Sequence, residues 1–133
     1  MEKREFSQLR HYLGKTQTQM AQLFGVSPQV VHSFEQVWRH IPVYIERQML
    51  LLVYLKTSSK EIYVPCWEIQ NCPIKWRDNC TAWKFNAGKL CWFINGTFYK
   101  GEHLENWDAK IMLCRQCEVF RRIDLLSEDL SRI

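Results

Sequence analysis

The sequence predicts an α+β fold, mainly α, built from two parts that differ in chemistry. Residues 1–57 carry apolar side chains at helical spacing and contain no cysteine. The stretch from Cys66 to Cys117 holds all six cysteines and five of the six tryptophans, and it contains short strand-like runs. We therefore expect an all-α domain over residues 1–57 and a small cysteine-rich module over residues 62–133, with the polar run TSSKE between them.

Charge is divided unevenly between the two parts. Residues 1–60 contain eight Lys and Arg against four Asp and Glu, whereas residues 61–133 contain ten of each kind. The net charge of +4 therefore belongs to the cysteine-free part. An excess of this sign favours an anionic partner, of which nucleic acid is the commonest.

The sequence shows no signal for export or for membrane insertion. The run MEKREFSQLRHYLG lacks the apolar core of a secretion signal, and the longest apolar stretch, Met49 to Leu55, is too short to cross a bilayer. We expect a cytoplasmic protein with no membrane partner, whose thiols stay reduced. A secreted scaffold held by disulfides is the alternative for six cysteines.

Three helices are predicted over the first 36 residues. Phe6, Leu9, Tyr12 and Leu13 indicate a first helix that ends at Gly14. The second helix begins at a T-x-x-Q capping box, Thr16 with Gln19, and ends at Gly25. It is expected to bury Met20, Ala21 and Leu23. The third helix follows after a tight turn, with Ser27 as its cap and Pro28 as its first residue.

The run LRHYLGKTQTQMAQLFGVSPQVVHSFE resembles the phage-repressor (XRE) type of helix-turn-helix over roughly the first fifty-five residues. The resemblance implies that the helix beginning at Ser27 enters the major groove of double-stranded DNA, and that a homodimer reads two half-sites. It places Gln17 and Ser27 at phosphates, and Pro28, Gln29, His32 and Ser33 at bases. Gln29 is the strongest candidate reader, because an amide bonds both N6 and N7 of adenine.

A fourth helix is predicted from Pro42 onwards. Ile45, Met49, Leu52 and Leu55 follow at helical spacing, so this helix is expected to close the core and to offer a dimer face. Arg39, in the loop before it, is a further candidate phosphate contact.

The cysteine-rich part predicts strands at Leu90 to Ile94 and at Thr97 to Tyr99, then a long helix from Trp107 to Leu130 with a possible break. Within that helix, Val119, Ile123, Leu126 and Leu130 form a seam like that of a coiled coil.

The cysteines follow the spacing C-x5-C-x7-C-x10-C-x22-C-x2-C. Nucleophilic catalysis would need a base beside the thiol, and His103 is the only histidine in this part, so we do not expect an enzyme. All six cysteines are candidate metal ligands: Cys66, Cys72, Cys80, Cys91, Cys114 and Cys117. One C-x-x-C pair with scattered partners favours an iron-sulfur cluster, [4Fe-4S] preferred, and a structural zinc is the alternative.

The runs CWEIQNCP, LCWFINGTFYKG and KIMLCRQCEVFRRI resemble the "two-CW" cysteine module, from Cys66 to about residue 123. That module often carries a further cysteine where this chain has Tyr99. It occurs fused to repressor-type helix-turn-helix domains, and the resemblance implies a metal-linked redox signal. The sequence therefore predicts a DNA-binding transcription regulator whose operator binding is controlled by a cysteine-ligated, redox-sensing iron-sulfur site. The alternative is a DNA-binding protein in which a purely structural zinc serves folding, dimerisation or protein contact.

Overall fold

The computed structural model describes residues 1–36, 39–57, 65–69, 71–77, 80–88, 90–117 and 120. The described chain falls into two compact units, with the division between residues 57 and 65. It is mainly helical and contains one two-stranded sheet, as the predicted fold class requires. Among the described residues, no helix has both the length and the apolar character needed to cross a bilayer.

The first unit contains four helices: α1 (Lys3–Tyr12), α2 (Gln17–Phe24), α3 (Pro28–Glu35) and α4 (Val43–Thr57). The predicted local signals around α2 are confirmed. The Thr16 hydroxyl accepts from the Gln19 backbone N–H at 3.1 Å, while the Gln19 side chain accepts from the Thr16 N–H at 2.9 Å. Gly25 ends α2 at a φ of +71°, a conformation that a side chain would resist. Pro28 then opens α3 where no backbone N–H is needed.

The core of the first unit is built from apolar side chains of all four helices. Its most deeply buried members are Phe6, Met20, Val31, Phe34, Ile45 and Met49. The predicted burial of Leu23 is wrong, since this residue is 45% exposed, and Leu55 on α4 is 58% exposed. Phe24 is buried in place of Leu23, and on α4 the buried face continues from Met49 to Val53 because it repeats every four residues.

Three helices of this unit meet at one carboxylate. Glu35, at the end of α3, accepts from Arg10 Nε of α1 at 2.7 Å and from the side-chain amide of Gln17 at the start of α2. The side chains of Glu35 and Arg10 are only 6% and 13% exposed. This carboxylate therefore ties the ends of α1, α2 and α3 together.

The second unit is an assembly of short elements. It contains α5 (Cys66–Ile69), α6 (Ile74–Arg77), α7 (Thr81–Lys84), α8 (Cys91–Ile94), β1 (Phe98–Tyr99), β2 (Glu102–His103) and α9 (Trp107–Gln116). The strand predicted at Leu90 to Ile94 is wrong, since this run forms α8. The strand predicted at Thr97 to Tyr99 is confirmed in β1, which pairs with β2 in antiparallel register. Lys100 and Gly101 join them with positive φ at both positions, as a type I′ turn requires.

The long C-terminal helix is confirmed only in its first part. Asn106 caps α9 by accepting from the Ala109 N–H at 2.8 Å, and α9 ends at Gln116 because Cys117 adopts an extended conformation. The predicted seam from Val119 to Leu130 lies outside the described residues, as does most of the TSSKE run.

Candidate functional site

All six cysteines of the chain line one cavity in the second unit, here called the cysteine cavity. No disulfide joins any of them. The cavity has a volume of about 110 Å³. A single water molecule needs only about 10 to 15 Å³ of such space. The cavity is therefore large enough for a group of several atoms.

Cys66 is placed by a close contact between two chain segments. Its backbone N–H donates to the Gly88 carbonyl at 2.8 Å. A Cβ on residue 88 would lie 2.6 Å from the Cβ of Pro65 and 2.8 Å from its Cα. Only glycine allows this close approach. Gly88 therefore fixes the position of Cys66, the first residue of α5, and of its thiol.

Cys80 is placed by the side chain of Asn95. The Asn95 Oδ1 accepts from the Ala82 backbone N–H at 3.0 Å, and its Nδ2 lies 3.5 Å from the Cys80 sulfur as donor. Cys80 precedes α7 and Asn95 follows α8 directly. One amide therefore joins two short helices and holds a thiol on the cavity wall.

Cys66 and Cys91 are neighbouring thiols in the cavity, and each changes the pKa of the other. As a hydrogen-bond donor, Cys91 lowers the pKa of Cys66 against the effect of burial. The interaction with Cys66, together with burial, raises the pKa of Cys91 well above its usual range. The negative charge is therefore favoured on Cys66.

Cys114 and Cys117 enter the cavity from the end of α9. Cys114 lies in the last turn and is buried, which raises the pKa of its thiol to about 11. Burial also raises the pKa of Cys72, which lies between α5 and α6. Thiols buried in this way stay protonated at neutral pH unless a cation compensates the thiolate charge.

Aromatic rings form much of the remaining wall. The rings of Trp67 and Trp83 meet edge to face with centroids 4.8 Å apart, and Trp92 is 1% exposed. Burial, together with the neighbouring thiols of Cys117, Cys114 and Cys91, raises the pKa of Tyr99 to about 12. Tyr99 therefore lies beside the cavity thiols.

Among the described residues, three cationic side chains also line the cysteine cavity, and none was anticipated from the sequence. They are Arg77, Lys100 and Lys110. A signal for Lys110 was present, since it precedes Cys114 by four residues on one helix and therefore shares its face. Asn95, which was not anticipated either, follows Cys91 by four residues, so the same spacing could have indicated it. Arg77 and Lys100 have no comparable relation to a cysteine in the sequence.

The thiols surround the cavity without converging on one point. Among the described residues, no three side chains of Cys, His, Asp or Glu are close enough together to hold one metal ion. A single zinc would require four sulfurs at about 2.3 Å from a common centre. An iron-sulfur cluster binds its cysteines at separate irons, so its thiols lie further apart around a larger core.

The residues predicted to meet DNA fall into two groups in the first unit. Ser27, Pro28, Gln29 and His32 are exposed along the start and middle of α3, and we call this surface the α3 face. Arg39 is also exposed. Ser33 is buried, and its hydroxyl donates to the Val30 carbonyl at 2.6 Å. Gln17 is half-buried, with its amide bonded to Glu35.

The chain was compared with family models, with curated proteins and with solved structures, and no comparison gave a match. The class of the protein must therefore be argued from its own residues.

Proposed function

We propose that this chain is a DNA-binding transcription regulator whose operator binding is controlled by an iron-sulfur cluster held in the cysteine cavity. The observation that carries the proposal is that six thiols, dispersed along the second half of the chain, line one cavity walled by aromatic rings. When bound, such a cluster would supply a redox couple that responds to oxidants. The thiols would hold it, and the tryptophans would limit the access of water.

The DNA-binding half of the proposal rests on α2, the turn at Gly25 and α3, which we interpret as a helix-turn-helix. The α3 face presents polar side chains, and residues 1–60 carry the whole net positive charge of the chain. Gln29 is the proposed base reader, with Ser27 and Arg39 at phosphates. Ser33 is left out of the reading set, because a buried hydroxyl that already bonds a carbonyl is poorly placed to meet a base edge.

The proposed metal is tested by purifying the protein without oxygen and measuring its visible spectrum and its iron, sulfide and zinc per chain. We expect a brown protein with iron and sulfide in roughly equal amounts. A colourless protein with one zinc per chain would replace the cluster by the structural zinc alternative, in which the metal serves folding or protein contact.

The proposed DNA contact is tested by selecting bound sequences from a random duplex library and comparing Gln29→Ala with wild type on the selected site. We expect Gln29→Ala to weaken binding roughly tenfold to a hundredfold, since one bidentate base contact contributes about 1 to 3 kcal/mol of discrimination. Gln8→Ala, at an exposed position of α1, is the matched control and should bind normally. Selection that enriches no sequence would contradict the proposal.

The proposed control of DNA binding by the cluster is tested last. Operator affinity measured with and without the cluster should differ, and gel filtration should show a homodimer. Equal affinity in the two states would leave a DNA-binding protein without the proposed sensor.

A further inference from the structure

Lys110 is the most deeply buried cation of the described chain, at 1% exposure, and it lines the cysteine cavity. Its ammonium donates to the carbonyl of Trp92 at 2.7 Å and to that of Gly96 at 2.5 Å. It also lies 5.2 Å from the centroid of the Trp107 ring. Two carbonyls and the face of an indole are partners for a positive charge.

The charge of Lys110 acts on the cavity thiols. Burial dominates the pKa of Cys114 and raises it, while the Lys110 ammonium opposes that rise. Arg77 and Lys100 act on Cys72 in the same sense against the effect of burial. Of the residues that the structure describes, those lining the cavity include these three cations and no Asp or Glu. The described wall is therefore electropositive.

Of these cations, Lys110 is the one that solvent screens least. Lys100 is exposed, and Arg77 is half-exposed with its guanidinium 4.9 Å from the centroid of the Trp83 ring. Charges in contact with water are strongly screened, whereas a buried charge acts through a low dielectric. The preference of the cavity for negative charge thus depends chiefly on Lys110.

We propose that Lys110 is the fixed counter-charge of the cysteine cavity and makes the cavity select a group of net negative charge. This inference rests on the proposed use of the cavity as a thiolate-ligated site. Metal ions bound by four thiolates, and clusters bound in the same way, carry net negative charge. Binding requires the thiols to lose their protons, and an adjacent ammonium lowers the cost of that loss. Lys110 therefore acts through its charge, by favouring the thiolates that bind the group, and need not bond the metal.

The test uses Fe²⁺ with sulfide as the probe and the full chain, reduced, freed of metal and kept without oxygen. Visible absorption is followed at pH 7 during reconstitution of wild type, Lys110→Met, Lys110→Gln and Lys100→Met, and then while a chelator removes the iron. We expect both neutral Lys110 variants to lose the absorption of the cluster at least tenfold faster than wild type. Lys100→Met removes an exposed charge from the same wall and should stay within about twofold of wild type, because solvent screens that charge.

Both neutral Lys110 variants are expected to fold, because replacing a buried charge by a neutral group removes its desolvation cost. Circular dichroism of the metal-free proteins checks this. Lys110→Gln retains a hydrogen-bond donor for the Trp92 and Gly96 carbonyls, so it separates the charge from its hydrogen bonds.

Each other result overturns the inference. Wild-type retention of the cluster in Lys110→Gln would assign the effect to hydrogen bonding, and wild-type retention in both variants would show that the charge has no effect. Loss of the fold in both metal-free variants would give Lys110 a purely structural role. A wild type that takes up no iron and sulfide would overturn the proposed cluster itself, and the inference with it.

Discussion

Replacing Gly88 by alanine should destabilise the second unit and displace Cys66. The new Cβ would lie 2.6 Å and 2.8 Å from Pro65 atoms, whereas ordinary contact begins at 3.4 Å. One of those atoms is backbone, so relief requires the chain around Pro65 to move. Overpacking of this kind costs about 1 to 3 kcal/mol, and the lower entropy of the unfolded Ala chain offsets up to about 1 kcal/mol. With both terms near the middle of these ranges, we expect a net loss of about 1 to 2 kcal/mol.

Pulsed alkylation of thiols across a urea gradient measures this loss in the second unit alone, because every cysteine lies between residues 66 and 117. With a slope of about 1 kcal/mol per molar urea for so small a unit, the midpoint should fall by about 1 to 2 M. In the absence of urea, Cys66 should also become more reactive in Gly88→Ala. Its side chain is only 6% exposed in the wild type, and its displacement would open it to the reagent.

Lys84→Gly is the matched control, at an exposed position of α7, and should cost about 1 kcal/mol through helix propensity. It should leave the reactivity of Cys66 unchanged. A Gly88→Ala protein with wild-type midpoint and wild-type Cys66 reactivity would refute the steric argument.

Three further predictions concern single contacts. Glu35→Ala leaves Arg10 without its carboxylate and should lower the unfolding free energy of the first unit by about 3 kcal/mol, measured by thermal unfolding; a loss below about 1 kcal/mol would contradict the proposed role of this pair. Lys100→Gly relieves a φ of +49° and should stabilise the second unit by up to about 1 kcal/mol in the urea assay; a lower midpoint would count against strain at that turn. In the reduced, metal-free protein the raised pKa of Cys114, about 11, favours the folded state only while the thiol is protonated. Stability should therefore be level below about pH 8.5 and fall by roughly 2 kcal/mol as the pH rises from about 9 towards 11, and a flat profile in alkali would contradict the burial of this thiol.

The sequence predicts most accurately those features that depend only on residues close together along the chain. The capping box at Thr16 and the proline at the start of α3 are satisfied within one helical turn, so their geometry follows from local chemistry. The burial of Leu23 could not be decided in this way, because it depends on which face of α2 meets the rest of the core.

The second unit was harder to predict because its elements are only two to four residues long, apart from α9. The run from Leu90 to Ile94 is apolar and aromatic, which favours a strand, yet it forms a single helical turn that Asn95 joins to α7. Runs this short carry no reliable periodicity. Grouping the cysteines in one site was predictable from their number, whereas the electrostatic coupling of Cys66 with Cys91 depends on the fold.

The position of the indole rings gives the protein an internal optical reporter. Trp67, Trp83 and Trp92 line the cysteine cavity, and Trp107 lies against Lys110. Excited-state energy passes efficiently from an indole to an absorbing group that is almost in contact with it. Any coloured occupant of the cavity would therefore quench the ultraviolet emission of the protein. Its arrival and departure can be followed continuously without labels, at concentrations far below those that absorption requires.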